Sequence, residues 1–164
     1  MTADYDATVE QVHRAFADKT YWQARLADSG ADDATLDGLD VGPDGSIDVS
    51  TTQVLRRDRL PGIATQFHKG DLHIVRREQW GPVTAATATA GISGDNPGAP
   101  VTLAGSAVLS AIRDTQRASL IFRGSVDVRV PLVGGKIESF IATQLVDLLI
   151  AEQRFTTAWL AGNT

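Results

Sequence analysis

The longest periodic pattern in the sequence lies near its C-terminal end, in the stretch GKIESFIATQLVDLLIAEQRFTTAWL. Apolar side chains recur there at helical spacing and form one stripe. The stripe consists of Ile137, Ile141, Leu145, Leu148, Phe155 and Trp159. The pattern predicts a single amphipathic helix about 40 Å long. A stripe of that length needs an equally long apolar surface to pack against, so the preceding residues must supply one.

The turn before this helix contains the triplet Gly134-Gly135-Lys136. A Walker A phosphate loop is excluded, because Val130 and Ile137 occupy the positions of its first glycine and its final Ser or Thr. We interpret the two glycines as the turn that lays the helix over the rest of the chain. Anion binding at the start of the helix is the less favoured alternative.

The segments before the helix alternate between apolar and polar residues, which predicts half-buried strands. They are 34–42, 46–55, 72–80, 83–92, 101–112 and 118–130. In the last segment Leu120, Phe122 and Val126 share one face, while Arg123 and Asp127 share the other. Most of the connections are short, so the simplest sheet is an antiparallel meander.

The first thirty residues predict a short strand followed by two short helices. The strand is placed at 3–7, and helical spacing covers 8–18 and 20–30. Asp6 or Thr8 is a candidate cap for the first helix. Helices this short are marginal alone, so both are expected to pack on the sheet.

Composition limits the class of protein. The 164 residues suit one domain, 1–164, and the formal net charge of -5 disfavours nucleic-acid binding. The absence of cysteine excludes disulfides, thiolate zinc sites and a catalytic thiol. The N-terminal stretch MTADYDATVEQ is too polar for a signal peptide, and no apolar run approaches the length of a membrane span. We therefore expect a cytoplasmic protein without stable membrane insertion, while the oligomeric state stays open.

Several segments carry a resemblance to a known superfamily. The stretch YDATVEQVHRAFADKTYW resembles the opening of many bacterial members of the START-like (SRPBCC, helix-grip) superfamily, although Thr8 replaces the usual proline. The segments YWQARLADSG, RLPG with KGDL, VPLVGGKIE and EQRFTTAWL together resemble an actinobacterial family of unknown function within it. The resemblance implies an α+β helix-grip fold, in which a curved antiparallel sheet of about seven strands wraps around the C-terminal helix. It also implies a hydrophobic cavity between sheet and helix.

Three functions are compatible with that fold. We favour intracellular binding, and potentially transport, of a small hydrophobic or amphipathic ligand such as a lipid, an isoprenoid or a polyketide. The alternative is a polyketide cyclase-like or hydrolase-like enzyme, which requires a cavity acid or base with a shifted pKa. The third is a protein-interaction module whose core is filled by its own side chains. The sequence nominates no catalytic residue and no cofactor, since GISGD at 91–95 has the wrong glycine spacing for a nucleophile elbow.

A set of side chains is predicted to line the ligand cavity. They are Trp22, Leu60, Ile63, Phe67, Trp80, Phe122, Ile141, Gln144, Leu148, Glu152 and Phe155. Gln144 and Glu152 interrupt the apolar stripe, and we favour an edge position with their ends in solvent over a role as polar anchors inside the cavity. Glu152 and Glu78 are the conceivable acid-base groups, but Glu78 shares a strand face with Arg76 and Trp80, so an ion pair explains its position equally well.

The connection 55–71 is too long for a hairpin turn. Leu60, Ile63 and Phe67 share a face if 62–68 is helical, which is compatible with a mobile lid over the cavity. A fixed cover over the sheet edge is equally compatible with the pattern. His68, Asp71 and His73 match no compact metal-ligand spacing, so no metal site is predicted.

Overall fold

The computed structural model of the chain describes residues 1–60, 62–65, 70–132 and 134–163, without the side chains of residues 63 and 64. Seven strands and four helices follow one another along these residues, with one 3-10 turn at Arg57–Arg59. In chain order they are β1 Thr2–Tyr5, α1 Val9–Phe16, α2 Lys19–Asp28, β2 Asp33–Val41, β3 Ile47–Leu55, α3 Gly62–Thr65, β4 Leu72–Trp80, β5 Thr87–Asp95, β6 Val101–Ala111, β7 Ala118–Val128 and α4 Gly134–Asn163.

The strands form one curved antiparallel sheet in the order β1-β7-β6-β5-β4-β3-β2. Strands β2 to β7 are a meander, as the mostly short connections between them predict. The short strand β1 closes the far edge by pairing with β7, with Thr2 opposite Ile121 and Tyr5 opposite Ala118. The predicted α+β helix-grip fold is confirmed.

The two short helices begin where side-chain caps fix their starts. Thr8 accepts a hydrogen bond from the Gln11 backbone at 3.2 Å, and the Gln11 side chain accepts one from the Thr8 backbone at 2.8 Å. This reciprocal pair is a capping box, which identifies Thr8 rather than Asp6 as the cap. Asp18 caps α2 by accepting a hydrogen bond from the Thr20 backbone at 2.8 Å.

Strand β5 begins at Thr87, so the prediction of a strand from residue 83 is wrong at its start. Residues Ala85 and Ala86 have φ values of 50° and 55°. This left-handed backbone forms a tight turn that the Thr- and Ala-rich pattern hides, because alanine is uncommon in that conformation.

Helix α4 begins against the end of β7 because Gly134 has no side chain. A Cβ there would lie 2.9 Å from the carbonyl oxygen of Val128, whereas a Cβ on Gly135 would meet nothing within 4 Å. Glu138, the fifth residue of the helix, accepts a hydrogen bond from the Val128 backbone at 3.1 Å. The geometric interpretation of the turn is therefore confirmed, and Gly134 is the residue that requires it.

The concave face of the sheet is filled unevenly. One half is buried under α1, α2 and the C-terminal part of α4, with Ile47, Val49 and Leu109 at 2% exposure or less. At the other end, where α4 begins, the inward residues Leu103 and Val126 are only half-buried. No helix of the described residues combines the length and apolarity needed to cross a membrane.

Candidate functional site

Four charged side chains meet between the sheet and α4. Arg76 donates to both carboxylate oxygens of Glu152, at 2.8 and 3.1 Å, and pairs with Glu78 at 2.7 Å. Arg25 pairs with Glu152 at 2.5 Å and lies 3.8 Å from Glu78. Each of the four side chains is 14% exposed or less. We call this group, Arg25, Arg76, Glu78 and Glu152, the charge cluster.

Three separate elements contribute the side chains of the charge cluster. Arg25 comes from α2, Arg76 and Glu78 from the inward face of β4, and Glu152 from α4. The indole of Trp80, next on that face, donates to Glu78 Oε2 at 3.0 Å. The cluster therefore links both helices to the sheet where apolar packing would be expected.

Two hydroxyl groups, Tyr21 on α2 and Thr156 on α4, connect Arg25 to the backbone of Glu152. Arg25 donates to the Tyr21 hydroxyl at 3.3 Å, and that hydroxyl lies 2.8 Å from Thr156 Oγ1. Thr156 donates to the backbone carbonyl of Glu152 at 2.8 Å, so its oxygen is the acceptor for Tyr21. The Arg25 guanidinium also lies 4.5 Å from the ring centroid of Trp22, within cation–π range.

Three members of the cluster, Glu152, Arg25 and Arg76, have pKa values that keep them charged at neutral pH. Burial alone would raise the pKa of Glu152, but Arg25 and Arg76 outweigh it and lower this pKa to about 2. Burial would lower the pKa of Arg25 and of Arg76, yet the two glutamates keep both values above the ordinary one. A carboxylate held in this way is not poised to exchange protons near neutral pH.

Two cavities flank the charge cluster. The larger, of about 50 Å³, lies between the concave face and α4, and the smaller, of about 20 Å³, lies beside α2. Arg25, Arg76 and Glu152 line both, so the cluster forms the wall between them. The apolar lining of the larger cavity includes Phe16, Trp80, Ile92, Ala107, Phe122 and Leu149.

Phe122 owes its position on the cavity wall to two glycines. Gly105 and Gly124 are paired across β6 and β7. A Cβ on either would approach the Phe122 ring to 3.2 or 3.0 Å. The ring therefore lies against bare backbone, and the glycines leave room for it.

The predicted ligand-contact residues divide among several places. Trp80 and Phe122 line the larger cavity, Trp22, Leu148 and Phe155 line the smaller, and Glu152 lines both. Ile141 is half-buried on α4, and Leu60 is half-buried beyond the 3-10 turn. The side chain of Ile63 and the whole of Phe67 lie outside the described residues.

The expectation for Glu152 was wrong, whereas that for Gln144 is confirmed. Gln144 is exposed on α4. Glu152 faces inward because Arg25 and Arg76 offer it two guanidinium groups, which offset the cost of removing its carboxylate from water. Of the two interpretations of Glu78, the structure shows the ion pair with Arg76.

Arg25 was missed as a site residue, although the sequence contains a signal for it. It lies three residues after Trp22, on the same face of a short helix that must pack inward. Arg76 and Glu78 likewise occupy the strand face that Trp80 shares. Several charges at inward positions indicate mutual pairing in the interior.

The segment after β3 is anchored at its start. Asp32 accepts a hydrogen bond from the Arg56 backbone at 2.7 Å and pairs with Arg59 at 3.0 Å. The Arg57 backbone donates to Asp71 at 3.0 Å. Phe67 and His68 lie outside the described residues, so the choice between lid and fixed cover stays a prediction.

Within the described ranges, no three His, Asp or Glu side chains converge as metal ligands. His73 is exposed on β4. Both carboxylates of the charge cluster are engaged by arginine.

Comparison of the sequence with known proteins shows the family to which the chain belongs. Residues 1–160 match the family model described as a protein of unknown function, DUF2505. The chain belongs to the DUF2505 family. Uncharacterized proteins of Mycobacterium tuberculosis and Mycobacterium bovis are each 48% identical to this DUF2505 chain over 167 residues, which covers 99% of it and 96% of the relative.

Two solved structures resemble this DUF2505 fold. A Thermus thermophilus protein has a TM-score of 0.54 at 14% identity and covers 100% of this chain and 97% of its own. A conserved protein of Geobacillus kaustophilus has a TM-score of 0.51 at 12% identity and covers 96% and 93%. At these identities the likeness concerns the fold alone.

Proposed function

We propose that the protein binds a small hydrophobic or amphipathic molecule between the concave face of the sheet and α4. The observation that carries the proposal is the larger cavity, which combines an apolar wall with one polar side, the charge cluster. Ligand sites commonly pair an apolar lining with a few placed polar groups that orient the guest. Membership in the START-like superfamily and a cytoplasmic location belong to the same proposal, supported by the helix-grip fold and by the lack of cysteine respectively.

The cavity must widen to admit such a guest. Its volume is about 50 Å³, whereas an apolar cavity known to bind benzene has about 150 Å³. Between Ile137 and Leu149 no side chain of α4 is fully buried, and Ile141, Leu145 and Leu148 are half-buried. Few buried contacts hold this part of the helix to the sheet, so it is the element that moves outward at least cost.

The small volume is also the observation that favours the second candidate, an interaction module with a self-filled core. A cyclase or hydrolase would need a group that titrates near neutral pH. Glu152, which lines both cavities, has a pKa of about 2 instead. The two remaining candidates differ in whether the cavity accepts a guest.

A substitution that fills the larger cavity distinguishes the ligand-binding protein from the interaction module. Ala107 is 2% exposed on its wall, whereas its neighbour Val108 is 38% exposed on the outer face. Titration of toluene and 1-decanol, followed by calorimetry and by tryptophan fluorescence, should give saturable binding to the unmodified chain. Ala107→Leu should weaken that binding at least about tenfold, since the added methyl groups occupy guest space.

Val108→Leu is the matched control and should leave the affinity unchanged. Thermal unfolding of both variants confirms that each is folded before titration. Absence of saturable binding to the folded, unmodified chain would support the self-filled core and overturn the binding proposal.

A further inference from the structure

The hydroxyl group of Tyr5 is an unused polar group on the wall of the larger cavity. Tyr5, on β1, lines this cavity and is 2% exposed. Its hydroxyl makes no hydrogen bond with any residue in the described ranges. It is also not one of the sealed, unbonded side-chain atoms there, which are Arg76 Nε, Glu78 Oε1 and Asn96 Oδ1. The hydroxyl oxygen therefore keeps some accessible surface, and in a side chain this buried that surface faces the cavity.

The surroundings of Tyr5 keep this hydroxyl protonated. Burial is the largest cause that raises the pKa of Tyr5, and Tyr21 raises it further, whereas Arg25 acts in the opposite direction. A protonated phenol donates one hydrogen bond. A buried donor without a partner lowers stability, so a guest that supplies an acceptor is favoured over one that does not.

The neighbouring polar groups are engaged with one another. The Tyr21 hydroxyl lies between Arg25 and Thr156, and Glu78 Oε2 accepts from the Trp80 indole. The Tyr5 hydroxyl is thus the donor that the folded chain leaves available on this wall, within the described residues.

The charge cluster disfavours an ionised acceptor. A guest carboxylate would compete with Glu78 and Glu152 for arginines that are already paired with them. The loss of its hydration would add to that cost. An uncharged oxygen accepts the same hydrogen bond without either cost.

We propose that the ligand presents an uncharged acceptor oxygen, as in a carbonyl group, to the Tyr5 hydroxyl, while its apolar body lies against Phe122 and Leu149 in the larger cavity. This inference rests on the proposed function and adds the polar group of the ligand and the residue that recognises it. Tyr5 is then a residue that determines specificity.

Two guests of the same shape test the proposal by calorimetric titration. They are 2-octanone and 2-methyl-1-octene, which differ in having an oxygen or a CH₂ group at one position. Tyr5→Phe keeps the ring and removes the hydroxyl. It should weaken the binding of 2-octanone about fivefold or more and leave that of 2-methyl-1-octene unchanged.

Ala107→Leu is the contrasting variant, because it fills space that both guests need and should weaken both alike. Thermal unfolding confirms that each variant is folded before titration. An equal loss for both guests in Tyr5→Phe would show that Tyr5 only packs against the guest, and would overturn the inference. Unchanged binding of both guests would overturn it as well.

Infrared spectroscopy of bound 2-octanone tests the hydrogen bond on the unmodified chain, whether or not a variant folds. The carbonyl stretch should lie at a lower frequency than in hexane, and in Tyr5→Phe it should return to the hexane value. A hexane-like frequency in the unmodified chain would overturn the inference and leave the proposed function standing. Binding of neither guest would overturn both.

Discussion

At the scale of single residues, Glu152 shows how the environment decides the state of a side chain. It interrupts the apolar stripe of α4, where its carboxylate would ordinarily turn toward water. Arg25 and Arg76 instead hold it inside, and the pKa of Glu152 falls to about 2. Its charge is therefore part of the folded state and not a surface feature.

Glu152→Gln should destabilise the protein strongly. Removing one member of a buried ion pair leaves the other charge uncompensated and costs about 3–5 kcal/mol. The free energy of unfolding in urea at pH 7 measures this loss. Asp48→Asn, which disrupts the exposed pair with Arg77, should cost no more than about 1 kcal/mol.

The same residue predicts a pH dependence. Because the folded-state pKa of Glu152 lies below its ordinary value of 4.5, its contribution is fully present above pH 4.5 and is lost as the pH falls toward 2. The contribution amounts to about 3 kcal/mol. Unfolding free energies at pH 6, 4.5 and 3 should fall more steeply for the unmodified chain than for Glu152→Gln. Equal slopes would show that Glu152 is not held ionised by the arginines.

These residues also mark the limit of sequence reasoning. Alternation on β4 places Arg76, Glu78 and Trp80 on one face, which was enough to offer an ion pair between Arg76 and Glu78 as one of two interpretations. It does not reveal that α2 and α4 bring Arg25 and Glu152 to the same point. That juxtaposition depends on how helices dock on the sheet, which no local pattern encodes.

At the scale of elements, α4 divides into two parts with different attachments. From Leu149 onward it contributes Thr156 and Leu160 to the buried interior and Glu152 to the charge cluster. Before Leu149, fully buried side chains are limited to Ile137, close to the start of the helix. The turn at Gly134 and the buried Ile137 are therefore the main attachments of the first half of the helix.

Gly134→Ala should lower the stability of the protein by disrupting the turn before α4, whereas Gly135→Ala should not. A methyl group at residue 134 meets the Val128 carbonyl at 2.9 Å and should cost about 1–3 kcal/mol. The same change at residue 135 meets nothing and should be neutral or stabilise by up to about 1 kcal/mol. Urea unfolding of the two variants measures the difference in their free energies of unfolding. Equal stabilities would contradict the close contact between residue 134 and the Val128 carbonyl.

The bounds of the strands and helices agree with the sequence pattern where alternation or a capping residue marks them clearly. The strand predicted at 72–80 coincides with β4, and the caps Thr8 and Asp18 set the starts of α1 and α2. Strand β5 was misplaced at its start because the turn at Ala85 and Ala86 uses residues that rarely signal a turn.

At the scale of the whole molecule, the order of elements was enough to predict the fold. Sequential strands with short connections specify a meander, and a long final stripe specifies the helix that covers it. The size of the cavity was beyond that reasoning, since it depends on how closely side chains from three elements pack. The resemblance to the START-like superfamily implies a cavity, whereas side-chain packing sets its volume near 50 Å³.

The location of a bound guest tests the central claim most directly. Isotope-edited NMR of the protein saturated with 1-octanol reports which methyl groups lie close to the alkyl chain. The account predicts contacts to Ala107, Ile92 and Leu149, which line the larger cavity. Contacts confined to Val108 and Ile121 on the outer face would contradict it, because the guest would then lie outside the space between sheet and helix.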